Sequence, residues 1–354
     1  MERTEIQDLG EFGLIARITE DLQRQRPETL LGVGDDGAVL DVGNKRTVVS
    51  TDMLCEGIHF DLSYVPLKHL GYKAVVVNLS DICAMNAEPV AVTVSMALSS
   101  RFSVEAVDEL YAGIRRACEV YKVDLIGGDT TTSRAGLVLS VTAIGLAERD
   151  QVVTRSGAGE NDLVVVSGEL GGAYMGLQVL EREKEVFQAA PTAQPDLQNH
   201  EAVLERQLKP EARVDVIREM ADLGLKPTSM IDVSDGLASE ALHLSTASRH
   251  GIRIYEEKLP IAQKTYETAR EFNLDPTMCM LSGGEDYELL FTIAQTDYEK
   301  VHNHPLLTVI GHMVADPEER KLVTKNGLHV DLTAQGWDSM RDGDSGGMET
   351  EGED

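Results

Sequence analysis

Twice along this 354-residue chain, short β-branched runs of strand length alternate with longer apolar segments at helical spacing, and the alternation restarts near the middle. In the first half RTVVSTDML (46–54) and PVAVTVSMAL (89–98) read as strands on either side of LKHLGYKAVVVNLSDICAMNA, which reads as a helix. Ser103 then stands as a cap before Val107, Leu110, Ile114, Ala117 and Tyr121, an apolar stripe with the period of a helix. VDLIGG and GLVLSVTAIG supply two more strands. The pattern begins again at RDQVVTRSGAGENDLVVVSG, a glycine-bearing turn followed by a new strand. Helices fit 172–185, 211–223 and 236–250, and strands fit 229–233, 252–256, 287–293, 308–314 and 322–332. QAAPTAQPDLQNHE, polar with two prolines, reads as an exposed loop. The expectation is an α/β (α+β) protein of two similar-sized domains, 1–148 and 149–338, without a short internal repeat.

GVGDDG (32–37) satisfies the G-x-G-x-x-G dinucleotide fingerprint letter by letter, but its setting is reversed. A polar, proline-containing stretch precedes it and the strand-like AVLDV follows, whereas the fingerprint needs a strand before and a helix after. Asp35 and Asp36 would also repel a bare pyrophosphate, so any phosphate brought here must come with a cation.

Charge narrows the partners further. The net charge of −28 speaks against nucleic acid and anionic membranes, both of which need a basic face. From Asp338 onward seven acidic residues face one basic residue in a Gly- and Ser-containing run, and 339–354 reads as a disordered acidic tail. Within it, DGDSGGMETEGE (342–353) imitates a calcium loop, but Gly346 replaces a ligand and the flanking helix has no room. The opening residues are charged and no segment is long and apolar enough to span a bilayer, so a cytoplasmic protein is expected. Cys55, Cys83, Cys118 and Cys279 are too widely spaced for a zinc site or a disulfide framework.

The aspartates form a set. Asp35 and Asp36 in GDDGA, Asp52 in VVSTDM, Asp129 in IGGDTTTS, and Asp232 and Asp235 in MIDVSDGLASE each close a strand-like run or sit in a turn beside hydroxyl residues. Asp81 lies on a largely apolar helix, where an unpaired carboxylate would be costly to bury. Any one of these could be a turn or capping residue. Gathered in one crevice at strand ends they could not all stay ionised without cations, and hard oxygen donors mixed with hydroxyls suit Mg²⁺. Neither a G-x-x-x-x-G-K-[ST] loop nor the protein-kinase motif set is present, so phosphoryl transfer would have to run on metals and a different glycine arrangement.

Nine segments in order, GEFGLIARI, GVGDDGAVL, VVSTDMLCEGIHF, LGYKAVVVNLSDICAMNAEP, LIGGDTTTS, TRSGAGENDLVVVSG, IDVSDGLASE, LSGGEDYELLFT and a late GWD, resemble the thiamine-monophosphate kinase family, in the superfamily of aminoimidazole ribonucleotide synthetase and selenophosphate synthetase. Only 181–208 and the tail lie outside the resemblance. It implies two α/β domains, an N-terminal ATP- and metal-binding domain that pairs in a homodimer, and a C-terminal domain completing the site. It implies transfer of the ATP γ-phosphoryl group to thiamine monophosphate. Matched motif by motif, Asp36, Ser50, Thr51, Asp52, Asp81, Asp129, Asp232 and Asp235 would serve several Mg²⁺ ions, with Asp52, Asp129 and Asp235 central to catalysis. Tyr111, Gly128, Arg155 and Ser234 would contact ATP, and His59, Glu285 and Trp337 the thiamine phosphate. An acceptor phosphate is already anionic, so no general base is required. The alternatives are a sister ATP-using synthetase, an aspartate-rich metal phosphohydrolase with water as acceptor, and a non-catalytic Mg²⁺–nucleotide binder.

Overall fold

The computed structural model describes residues 29–31, 35–41, 43–192 and 194–334. Trp337, the 339–354 tail with its calcium-like loop, and Gly32 and Gly34 lie outside the described residues.

The first sheet contains β1 (Thr29–Leu31), β2 (Ala38–Asp41), β3 (Lys45–Cys55), β4 (Glu88–Leu98), β5 (Asp124–Thr132) and β6 (Leu137–Glu148), in the order β1-β2-β3-β6-β4-β5. Only β4 and β5 run parallel. Helices α1 (Leu67–Ala84) and α2 (Val104–Tyr121) pack on one face, α2 starting at the cap Ser103, whose side chain accepts the Ala106 N–H. The two helices meet backbone to backbone. A Cβ on Gly71 would lie 2.0 Å from the Leu110 carbonyl oxygen, and one on Gly113 would lie 1.9 Å from that of Lys68.

The second sheet contains β7 (Leu163–Ser167), β8 (Ser229–Asp232), β9 (Gly251–Tyr255), β10 (Leu289–Ile293), β11 (Leu307–Val314), β12 (Arg320–Val323) and β13 (His329–Asp331), in the order β13-β12-β9-β11-β7-β10-β8, with only β9 and β12 parallel. Its central strands read LVVVS and LLFTI because both faces are covered. Val165, Met230, Leu289, Phe291 and Ile293 point into the same core as α1, while Val164, Val166, Ile231 and Leu290 point to Leu237, Ala241 and Leu244 of α6 (Leu237–Ser248). Helices α3 (Gly172–Ala189), α4 (Glu201–Leu208), α5 (Val214–Asp222), α7 (Gln263–Glu271), α8 (Pro276–Ser282) and α9 (Tyr298–Val301) complete the described elements. Since α1 lies between the two sheets it is buried nearly all round, which explains its run of apolar residues without a polar face.

The mixed α/β architecture agrees with the sequence expectation, and four details differ from it. Strand β1 (Thr29–Leu31) directly precedes GVGDDG, where the sequence reads as a polar, proline-containing stretch, although strand β2 rather than a helix follows, so the dinucleotide fingerprint is still not met. The expected strand over 322–332 is a hairpin, β12 and β13, turning at Gly327, whose φ is +76°. Helices α4, α7 and α8 have no counterpart in the sequence reading. Asp52 and Asp129 fall inside strands rather than at their ends, because the hydroxyl residues that follow Asp129 keep pairing with β4.

Candidate active site

Three carboxylates meet where the two sheets face each other. Asp36 precedes β2, Asp81 lies in the last turn of α1 and Asp232 closes β8, and one oxygen from each falls within 4.8 Å of the other two. The crevice therefore lies between two sheets, not at the carboxyl ends of one. Ser50 Oγ donates to Asp81 Oδ2 and Ser80 Oγ to Asp232 Oδ2, each at 2.5 Å. Asp52 stands near enough for its charge to act on Asp81 and Asp232, and its main-chain N–H donates to Asn78 Oδ1 at 2.8 Å.

Helical geometry arranges this. Asn78 and Asp81 are three residues apart and both serve β3, while Lys73 and Ser80, seven apart, both serve the second sheet.

Burial, with the charges of Asp52, Asp232 and Asp36 added, holds Asp81 well above the usual carboxylate range. Burial and Asp36 push Asp232 up to about 7, against the hydrogen bond from Ser80. Asp35 rises to about 6 through burial and Asp36, although the main-chain N–H groups of Arg155 and Asp36 donate to it. Carboxylates crowded like this hold protons or a cation. All-oxygen donors, three carboxylates with hydroxyls beside them, fit a hard divalent ion such as Mg²⁺.

Arg155 caps the cluster from the side, its Nη2 donating to Asp36 Oδ1 at 2.7 Å and its Nε to Oδ2 at 3.1 Å. In the turn after β8 the Ser234 carbonyl accepts the Glu285 N–H at 2.7 Å, and the Asp235 N–H donates to Glu240 Oε1 at 2.9 Å. Glu240 is 2% exposed, and burial followed by the charge of Asp235 keeps its carboxyl well above the usual range. The Glu285 carboxylate is held by Lys73 and by Gln207, each at 2.7 Å. His59 Nδ1 accepts the Cys55 N–H at 3.1 Å, which puts the ring proton on Nε2.

Other candidates lie apart. Paired strand residues share a face, and the register Asp52–Val141–Val94–Gly128 spans three strand steps, about 14 Å. Asp129 pairs with Ser95, on the face opposite to Asp52. Thr51 also points there, its hydroxyl donating to the Val141 carbonyl at 2.9 Å. Tyr111 is half-buried against the first core. Gly128 follows a bulge at Ile126, and a Cβ there would lie 1.9 Å from the Val94 carbonyl oxygen, which gives this glycine a packing role of its own.

Several residues that build the site were not singled out from sequence: Lys73, Asn78, Ser80, Gln207 and Glu240. The first three carried a signal, as polar residues on a helix otherwise apolar all round.

Residues 34–147 match the family model described as AIR synthase related protein, N-terminal domain, and 159–323 match its C-terminal domain. The chain is 36% identical over 287 residues to thiamine-monophosphate kinase of Aquifex aeolicus, covering 81% of this chain and 87% of that protein. It is 32% identical over 348 residues to the Bacillus subtilis protein of the same name, covering 94% and 100%. It belongs to the thiamine-monophosphate kinase family. A solved structure, AaThiL complexed with AMPPCP and TMP, superposes with a TM-score of 0.81 at 33% identity, covering 96% of this chain and 99% of that one. The likeness extends over both sheets of the fold.

Proposed function

We propose that this protein phosphorylates thiamine monophosphate to thiamine diphosphate with ATP. The observation that carries this reading is the Asp36–Asp81–Asp232 cluster, with oxygens within 4.8 Å, set between the sheets of a chain from this kinase family. Asp36, Asp81, Asp232, Asp52 and Ser50 would hold Mg²⁺, with Asp235 at the rim. Magnesium bound there would neutralise the phosphates of donor and acceptor as they are brought into line.

The chain's own groups do the rest. Asp52 is set by its N–H bond to Asn78, and Asp232 by Ser80. Arg155 places a guanidinium at the edge of the cluster, in position to meet an ATP phosphate. With Nδ1 taken by the Cys55 N–H, His59 has Nε2 left to donate to the substrate phosphate. Glu285 bounds the acceptor side. No residue need act as general base, because the acceptor oxygen is already anionic.

We further infer a homodimer joined through the first sheet. Strand β5 is exposed at all nine positions, and Ile126 on it and Met53 on β3 are 59% and 57% exposed. Gly128 and Asp129 on this strand would then serve the site of the partner subunit, with Tyr111 beside the nucleotide. Residues 1–148 would form the pairing domain and 149–338 the domain that completes the site, in the cytoplasm.

Incubating the protein with ATP, Mg²⁺ and thiamine monophosphate and separating the products tests the reading. Thiamine diphosphate formed in step with ADP is expected. ADP released equally well without the acceptor would replace the kinase by a phosphohydrolase.

A further inference from the structure

Lys73 is 5% exposed, an unusual place for an ammonium group, and its ion partner is Glu285, whose Oε1 lies 2.7 Å from Nζ. Nζ also donates to the Gln207 carbonyl at 3.4 Å. Gln207, 6% exposed on α4, donates its Nε2 to Glu285 Oε2 at 2.7 Å. Each carboxylate oxygen thus has its own buried donor, one from α1 beneath the first sheet and one from the helix pair beside the second.

The amide orientation of Gln207 is informative. Its Oε1 is buried with no hydrogen-bond partner among the described residues. Turning the amide over would aim that oxygen at a carboxylate, so the donor stays with Glu285 and the acceptor goes unsatisfied, at a cost in stability.

The backbone of Glu285 is fixed as well. Its φ is +58°, a left-handed conformation unfavourable for a side chain of this size, and its N–H donates to Ser234 O at 2.7 Å. Even so, the Glu285 side chain remains 31% exposed. A carboxylate oxygen offers two lone pairs, and one donor on each leaves acceptor capacity toward the open side.

Building on the kinase reading, we propose that Lys73 and Gln207 are positioning residues that fix the Glu285 carboxylate as a hydrogen-bond acceptor for the amino-substituted pyrimidine of the acceptor substrate. The Lys73–Glu285 pair carries no net charge, so what it offers is a directed acceptor rather than an attraction for a cation. The nitrogen-bound hydrogens of thiamine monophosphate are those of the aminopyrimidine.

The test is a double-mutant cycle on steady-state kinetics, using Lys73→Met, which keeps the buried alkyl chain, Glu285→Gln, and the two combined. Lys73→Met should raise the KM for thiamine monophosphate about tenfold, with the KM for ATP changed less than about twofold. In the Glu285→Gln background Lys73→Met should add no further rise, since its effect passes through that carboxylate. If Lys73→Met does not fold, Gln207→Leu in the same cycle carries the same expectation. Additive effects in the combined variant, or equal rises in both KM values, would overturn the positioning role while leaving the kinase intact. Wild-type protein that forms no thiamine diphosphate would overturn the kinase reading instead.

Discussion

Asp232 shows how a single residue can stabilise a protein at one pH and weaken it at another. Its carboxyl titrates near 7 in the folded protein and near 4 in an unfolded chain, so the folded state holds the proton more tightly. The stabilisation that follows is complete below about pH 4 and is lost as the pH rises through 7. Asp232→Asn, neutral at every pH, should therefore melt above the wild type by ~3 °C or more at pH 8 in EDTA, with a smaller difference at pH 5. Thermal melts at the two pH values check this, and a gap that shrinks as the pH rises would contradict it. Magnesium should stabilise the wild type more at pH 8 than at pH 5 and the variant little at either. Asp52→Asn should not lower the melting temperature and, at pH 8 in EDTA, should raise it, while activity falls at least ~100-fold, because the change removes a charge that repels Asp81 and Asp232 and keeps the Asn78 contact, which is made by the main chain.

At the scale of elements, the motif LSGGEDYELLFT divides its acids between two tasks. Glu285 faces the open crevice. Asp286 accepts the N–H groups of Gly171 and Ala173 at the start of α3, and Glu288, fully buried, accepts from Ser167, Arg206 and Arg213. Glu288→Ala would leave two arginines facing an empty place and should cost about 3–5 kcal/mol, measurable by urea unfolding. Gly113→Ala should cost about 1–3 kcal/mol by forcing α1 and α2 apart. Such roles explain what could be read in advance. Strands β3, β4 and β6 and helix α2 were legible because their periods are clean and Ser103 marks a start, and α1 because its apolar run is too long for a strand. The β12–β13 turn was legible in principle, since Asn326-Gly327 is a hairpin signal within an otherwise strand-like run. Helix α7 is short with few apolar residues and leaves little trace in sequence, whereas α8, only seven residues long, was marked by Asp275 as a cap and Pro276 at its first position. The same holds within the site: Asp36, Asp81 and Asp232 could be chosen by residue type and setting, and Thr51 and Asp52, consecutive in a strand, had to face opposite ways, but which of them faces inward and on which face Asp129 falls depend on strand register.

For the whole molecule, the placement of Asp129 on an exposed strand leads to a complementation experiment. If two subunits share each site, Asp52→Asn and Asp129→Asn chains are separately inactive, yet a mixed dimer contains one site with neither change. Co-expressing the two and letting them pair at random should restore about a quarter of wild-type activity. Recovery near zero would place Asp52 and Asp129 in the same subunit's site, and an Asp129→Asn chain active by itself would remove Asp129 from the site.

The central helix α1 also constrains how this chain can vary over time. Along one side it offers Lys73 to Glu285 and Ser80 to Asp232, and along another it offers Asn78 and Asp81 to β3. One added or lost residue between Lys73 and Ser80 would rotate everything beyond it by about 100° and carry it 1.5 Å along the axis. The Lys73–Glu285 and Asp81–Ser50 sides of the crevice would then lose alignment together, whatever the identity of the residue. This segment can accept conservative exchanges of side chain but not a change of length, so one residue inserted or deleted here should abolish activity, whereas the same change in the exposed stretch 194–199 should not.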